Sequence, residues 1–221
     1  MANRRFLNNN LSRLQEAQYN AIFDYEDVSV LTLEEAVKEL ISLLPDVLVD
    51  VSTARTNSNR DSTLLTLDES AAIYLYTMPD SVSGALNTAL RVENRSSLKP
   101  WFAFLKLFMT ALKKLPSTQG IIYRGVNYDA TSTFVDNDMH TLWGINSCSK
   151  NPNSVKPFLS ESGTLFVINA IHGKDIMTFS AVPDEEEVIL MPGTRVRAAN
   201  QSLNIIDRFF VIHLEEINPQ R

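Results

Sequence analysis

The sequence predicts an α+β protein in which an N-terminal helical region packs on a mainly antiparallel, two-sheet β core. Helix-capping patterns and three-to-four apolar spacing crowd the residues before Pro116, and short β-branched runs separated by turn residues dominate after Gly120. Helices clustered first and strands afterwards exclude the alternating order of a parallel doubly wound sheet. The chain of 221 residues, with 44% hydrophobic and 21% charged residues, is long enough to bury a core in one or two domains. Residues 1–60 read as a helical extension and 61–221 as the main domain, and a dip in hydrophobicity over Val51 to Asp61 marks a candidate hinge.

Taken in order, Thr32-Leu33-Glu34-Glu35 and Thr66-Leu67-Asp68-Glu69 each fit a capping box, in which the threonine oxygen accepts from an orphan amide and the following glutamate reaches back. After the second, Leu67, Ala71, Tyr74, Leu75 and Met78 recur on one helix face until Pro79-Asp80 stops it. Val82, Leu86, Ala89 and Leu90 predict the next helix. Another begins at Pro100, a residue suited to a first turn, and carries Trp101, Phe104, Leu105, Phe108, Leu112 and Leu115 as one stripe up to Pro116. That stripe reads as packing core, not as a cofactor-binding face. Strands are expected at Ile121 to Val126, Leu165 to Ala170, Ile176 to Phe179, Val188 to Met191, Thr194 to Ala198 and Ile205 to Glu215. Working loops are expected over Asn127 to Pro157.

A net charge of −6 argues against a general binder of phosphate backbones, so no nucleic-acid partner is expected. Met1 to Asn10 is basic but is followed by polar residues where an export signal needs an apolar run. Pro100 to Leu115 is interrupted by lysines and is too short to span a bilayer, so a soluble, cytoplasmic type of protein without a membrane association is expected. A single cysteine, Cys148, leaves no internal disulfide and fits a reducing compartment. His140, His172 and His213 lack metal-ligand spacing, and no metal is expected.

Asp184-Glu185-Glu186-Glu187 runs straight into Val188-Ile189-Leu190. If the glutamates belong to a buried strand, Glu185 and Glu187 share one side, and two close carboxylates point to chemistry on a positively charged species. A solvated acidic turn is the other open reading. Tyr123-Arg124-Gly125 ends a short strand either with a rim charge or with an arginine whose glycine neighbour lets a ligand approach the backbone. Ser147 and Ser149 flank Cys148 on what alternation makes one strand face, where Ser147 can orient a polar group with Ser149 in support. Cys148 reads as a small core residue, since no histidine lies nearby in sequence to activate it.

In this order, Arg124-Gly125, Ser147-Cys148-Ser149 and Glu185-Glu186-Glu187 resemble the arginine, Ser-Thr-Ser and Glu-x-Glu motifs of mono-ADP-ribosyltransferases of the cholera-toxin-like branch, which includes vertebrate arginine-specific ecto-transferases and several bacterial toxins. The resemblance implies a catalytic domain over 61–221 with an NAD cleft in the sheet, NAD as co-substrate without metal, and a protein substrate with an exposed arginine. Residue by residue, it implies that Arg124 holds a phosphate or ribose of NAD and that the Gly125 backbone binds the nicotinamide carboxamide. Ser147 would orient Glu187 with Ser149 in support, and Phe158 would lie against nicotinamide, a core phenylalanine remaining the other open reading there. Glu187 would stabilise positive charge at the ribose, and Glu185 would orient and deprotonate the incoming guanidinium. Cys148 stands where the family has threonine, and Leu159-Ser160-Glu161-Ser162 lacks an arginine that some relatives carry. Two rival functions stand beside this one: an NAD glycohydrolase, and a catalytically silent binding module.

Overall fold

The computed structural model describes residues 24–91, 95–135, 137–159, 163–199 and 209–218. The expectations for Met1 to Asn10, Ser160 to Ser162 and the start of the last strand at Ile205 lie outside these residues. Two compact units divide the chain, one built from Asn20–Pro116 with Ile176–Pro183, the other from Ser117–Asp175 with Asp184–Arg221. The boundary expected near residue 60 falls inside the first of them.

That first unit carries α1 (Leu33–Ala36), α2 (Val47–Asn57), α3 (Leu67–Thr77), α4 (Val82–Arg91) and α5 (Phe102–Lys114). Both expected capping boxes form at the starts of α1 and α3. Glu69 does double duty: its carboxylate accepts from Thr66 N at 2.9 Å and pairs with Lys114 Nζ at 2.7 Å, so a side chain only 3% exposed keeps its charge compensated. The expected aromatic stripe is core, with Trp101, Phe104, Phe108 and Leu112 all buried and Phe108 against Phe104 and Tyr76 at ring distances of 5.9 and 4.7 Å. Each such side chain contributes roughly 1.5–3 kcal/mol relative to exposure. The candidate hinge over Val51 to Asp61 is largely the second half of α2, anchored by buried Val51 and Ala54.

The strand expected at Ile176 to Phe179 is instead a 3-10 turn, Met177–Phe179. Residues three apart eclipse in such a turn, so Ile176 and Phe179 bury together while Met177 and Thr178 stay exposed. Thr77 Oγ1 accepts from Ala181 N at 2.8 Å and holds the turn within this unit.

The second unit contains β1 (Ser117–Val126), β2 (Met139–Leu142), β3 (Asn146–Ser149), α6 (Pro152–Val155), β4 (Thr164–Asp175), β5 (Glu187–Leu190), β6 (Thr194–Ala198) and β7 (Phe210–Glu216). β2 lies in the stretch read as loops, being too short to show a period. The strands order as β1-β3-β5-β4-β7-β6-β2, and β1 also pairs with β4. All pairings are antiparallel except β4 with β7. One hydrogen-bonded network thus replaces the two separate sheets expected, because the 12-residue β4 is long enough to hold β1, β7 and β5 together.

β4 achieves this through a bulge. Between Ala170 and Gly173 it inserts two residues opposite the one that β1 places between Thr118 and Gly120. A bulge bends its strand and sharpens the local twist, and here it separates the stretch of β4 paired with β7 (Thr164 to Asn169) from the stretch paired with β5 (Lys174, Asp175). The amides this frees are not orphaned: Glu216 Oε2 accepts from Ile171 N at 2.6 Å and from His172 N at 2.9 Å, and Glu216 Oε1 lies 2.9 Å from His172 Nδ1. Among the described residues, no helix is long and apolar enough to cross a membrane.

His140 on β2 is a buried side chain whose Nε2 has no hydrogen-bond partner among the described residues, its ring 4.3 Å from that of Phe134. Burial pulls its pKa below the ordinary 6.5, with Asp138 acting weakly the other way. A depressed folded-state value means that the fold binds the proton less tightly than the unfolded chain, so this contribution to stability is complete above the unfolded pKa and is lost as pH falls below it. We expect the urea midpoint to drop between about pH 7.5 and 5.5 and His140→Phe to flatten that slope; an unchanged slope in the variant would place its origin elsewhere.

Candidate active site

β3 and β5 run antiparallel with Ser149 opposite Glu187, Cys148 opposite Val188 and Ser147 opposite Ile189. Paired residues share a face and successive ones alternate, so Ser147, Ser149 and Glu187 project to one side. On the other, Cys148, Val188 and Leu190 join Ile122 and Phe166 in the apolar core of this unit. Cys148 therefore occupies a position where the loss of a threonine hydroxyl leaves nothing unsatisfied.

Glu187 is completely buried. A carboxylate without water contact requires donors or positive charge nearby. Arg124, also buried, donates from its Nη1 to the Ser147 carbonyl at 2.6 Å. Tyr123 pairs with Ser149, so alternation carries Arg124 to the Cys148 face of the strands. The Cys148 thiol registers both charges; burial pushes its pKa to about 12, Arg124 opposes that rise and Glu187 adds to it. Ser147, Ser149 and Glu187 thus share one face of the β3–β5 ladder, and Arg124 on β1 reaches β3 from the Cys148 side.

Glu185 and Glu187 do not share a strand face, as alternation would have required. Pro183–Glu185 forms a 3-10 turn, Glu186 adopts a left-handed φ of 47°, and β5 starts only at Glu187. The cause lies in β3 and the residues after it. Ser149 Oγ donates to the Glu185 carbonyl at 2.6 Å, and Lys150 N donates to the Glu186 carbonyl at 3.1 Å. These bonds bend the acidic run away from the β3–β5 ladder one residue before Glu187. Glu185 and Glu186 are half-buried, so the run is neither a continuous strand nor a freely solvated turn.

Gly125 follows Arg124, and a Cβ there would lie 2.9 Å from the Val155 carbonyl and 3.3 Å from Leu159 Cδ2. Within the fold, the close approach this glycine permits is that of the chain leaving α6. Phe158, on the same segment, packs with Val155 against Tyr123 and Leu165, which is the core placement left open for it. The expected scarcity of arginine over Leu159 to Ser162 falls mostly outside the described residues.

Asn151 and Lys150 escaped the sequence reading. They fall in the stretch Asn127 to Pro157 read only as loops, yet an asparagine directly before a proline is an N-cap signal, and Asn151 Oδ1 does accept from Asn153 N at 3.0 Å. A cavity of about 250 Å³ beside His172, Gly193, Arg195 and Glu216 lies past the opposite end of β5 from Glu187. Among the described residues, no group of three or more His, Cys, Asp or Glu is placed to hold a metal ion.

With this geometry in view, the comparisons with known proteins are decisive about class. The sequence profile of the NAD:arginine ADP-ribosyltransferase family matches residues 30–219, and the chain belongs to that family. It is 31% identical over 179 residues to the NAD(+)--protein-arginine ADP-ribosyltransferase Tre1 of Serratia proteamaculans (strain 568), a match covering 77% of this chain and 37% of Tre1. The chain thus spans little more than a third of that relative. Its fold is similar to that of the type III effector XopAI from Xanthomonas axonopodis pv. citri, with a TM-score of 0.65, 20% identity, and coverage of 84% of this chain and 82% of the other. It is likewise similar to the ADP-ribosyltransferase Vis from Vibrio splendidus, solved in complex with agmatine, with a TM-score of 0.60, 20% identity, and coverage of 89% and 91%.

The raised thiol pKa has a direct consequence. We expect native protein at about pH 8 to resist alkylation by iodoacetamide at Cys148, and urea-unfolded protein to react fully, because only the thiolate is nucleophilic. Stoichiometric labelling of the native form would mean that the thiol is not buried in the core of this unit.

Proposed function

We propose that this chain transfers ADP-ribose from NAD to the guanidinium of an arginine on a protein substrate, releasing nicotinamide. The observation that carries the reading is Glu187, a fully buried carboxylate paired with Ser149 across β3–β5. Family membership supports the same reading, as does the fold shared with a transferase crystallised with agmatine, an arginine-like amine.

In this reading the bond between C1′ of the ribose and the nicotinamide nitrogen breaks, and its electron pair stays with the neutral leaving base. Positive charge develops at C1′ and the ring oxygen, and Glu187 stabilises it while accepting a hydrogen bond from the 2′-hydroxyl. A carboxylate already desolvated by the fold does this better than one in water, since no solvent has to reorganise as the charge appears. Ser147 and Ser149 hold β3 in register beside it. Arg124 has five N–H donors, of which the Ser147 carbonyl takes one, and we assign it a phosphate or ribose of NAD. We assign the Gly125 backbone to the nicotinamide carboxamide, with Phe158 packed on Tyr123 beside it.

The acceptor guanidinium is protonated at neutral pH and must lose a proton as its nitrogen bonds to C1′. Glu185, half-buried on the turn before β5, is assigned as the group that orients it and takes that proton. Glu187→Gln should lower both NAD hydrolysis and transfer to agmatine by about 100-fold or more. Glu185→Gln should lower transfer by about 100-fold while hydrolysis stays within a few-fold of wild type. Equal loss of both activities in Glu185→Gln would contradict this division, and absence of NAD binding by calorimetry at millimolar concentration would favour a silent module.

A further inference from the structure

We propose that Asn151 is a positioning residue that sets the acceptor-side carboxylate, and so governs whether the positive centre at C1′ is captured by arginine or by water. The inference rests on the assignment of Glu185 given above. It comes from the way the acidic turn is held. Ser154 Oγ donates to the Asp184 carbonyl at 3.5 Å, Ser149 Oγ to the Glu185 carbonyl at 2.6 Å, and Lys150 N to the Glu186 carbonyl at 3.1 Å. Three successive carbonyls are thus met by one short segment, Ser149 to Ser154.

Asn151 sits at the centre of that segment and uses all four of its polar groups, its carbonyl accepting from Ser154 N at 3.1 Å. Its N–H donates to Ser149 Oγ at 2.9 Å, and the serine hydroxyl, 3.1 Å from the Asn151 carbonyl, makes its shorter bond to the Glu185 carbonyl at 2.6 Å. Its Oδ1 caps α6 through Asn153 N at 3.0 Å, and its Nδ2 reaches Glu186 Oε1 at 3.5 Å. Glu186 in turn holds a left-handed φ of 47°, a conformation that a non-glycine residue keeps only when its surroundings impose it. Glu187, by contrast, is pinned by the β3–β5 ladder. Loosening the Asn151 bridge therefore moves Glu185 without moving Glu187, and the two half-reactions separate.

The test measures agmatine transfer and NAD hydrolysis, each with its own KM and kcat. Asn151→Ala should lower transfer by about tenfold or more while hydrolysis and the KM for NAD change little. Asn151→Asp keeps the α6 cap but replaces the donor facing Glu186 with a carboxylate, so it should show the same selective loss in a protein of wild-type thermal stability. Combining Asn151→Asp with Glu186→Gln reverses donor and acceptor across the bridge and should restore the transfer-to-hydrolysis ratio. Parallel loss of both activities, an unchanged ratio in Asn151→Asp, or no rescue in the double variant would overturn the proposal. If Glu185→Gln itself fails to separate the activities, it is the assignment of Glu185 that falls; if it separates them and the Asn151 variants do not, only the present inference does.

Discussion

The pairing of Ser149 with Glu187 across β3 and β5 is the constraint on which the rest of the second unit depends. Side chains alternate with a strict period of two, so a slip by one residue would turn Glu187 into the apolar core and bring Val188 out in its place. Burying Cys148, Val188 and Leu190 on one face makes that slip costly, since each displaced aliphatic side chain would forfeit roughly 1.5–3 kcal/mol. The apolar side of these two short strands thus specifies the polar side. Arg124 reinforces the register from β1 by donating to the backbone of β3.

β5 needs a second neighbour, and β4 can provide one only by leaving β7. The bulge at Ile171 and His172 is where it does so, and the Glu216 carboxylate takes up the amides left between the two pairings. A buried carboxylate needs hydrogen-bond donors, and the two amides freed at the bulge need acceptors, so each satisfies the other. The network of strands can therefore close around β1, β3, β5 and β4 without an orphaned donor at the bulge.

The two glutamates of the motif differ in mechanical setting more than in chemistry. Glu187 stands inside a ladder and Glu185 ends a 3-10 turn suspended from the residues after β3. In the proposed reading, the carboxylate that meets a developing charge benefits from a rigid, desolvated site, whereas the one that accommodates an incoming side chain benefits from a hinge next to it. The left-handed Glu186 provides the change of direction between these settings.

Some of this was legible in the residues alone. The capping boxes at Thr32 and Thr66 and the Trp101 to Leu115 stripe depend on contacts within a turn or two of helix, so spacing determined them. The order of Arg124, Ser147, Ser149 and Glu187, with the residue types their chemistry requires, was likewise written in the chain and sufficed to indicate its class. Ile176 to Phe179 was not legible as a turn, since the same apolar residues suit a strand and only the presence of a strand partner separates the two. Nor could alternation reveal that Glu185 leaves the strand. Its carbonyl is drawn off by Ser149, 36 residues away, and the bulge in β4 is capped by Glu216 from 45 residues away. What the sequence by itself determined was local helix structure and the inventory of reactive groups, whereas tertiary structure decided strand register, the bulge and the bend of the acidic run. The physical reason is that each of these last three is a hydrogen-bond choice between segments far apart in the chain, and no pattern within either segment encodes it.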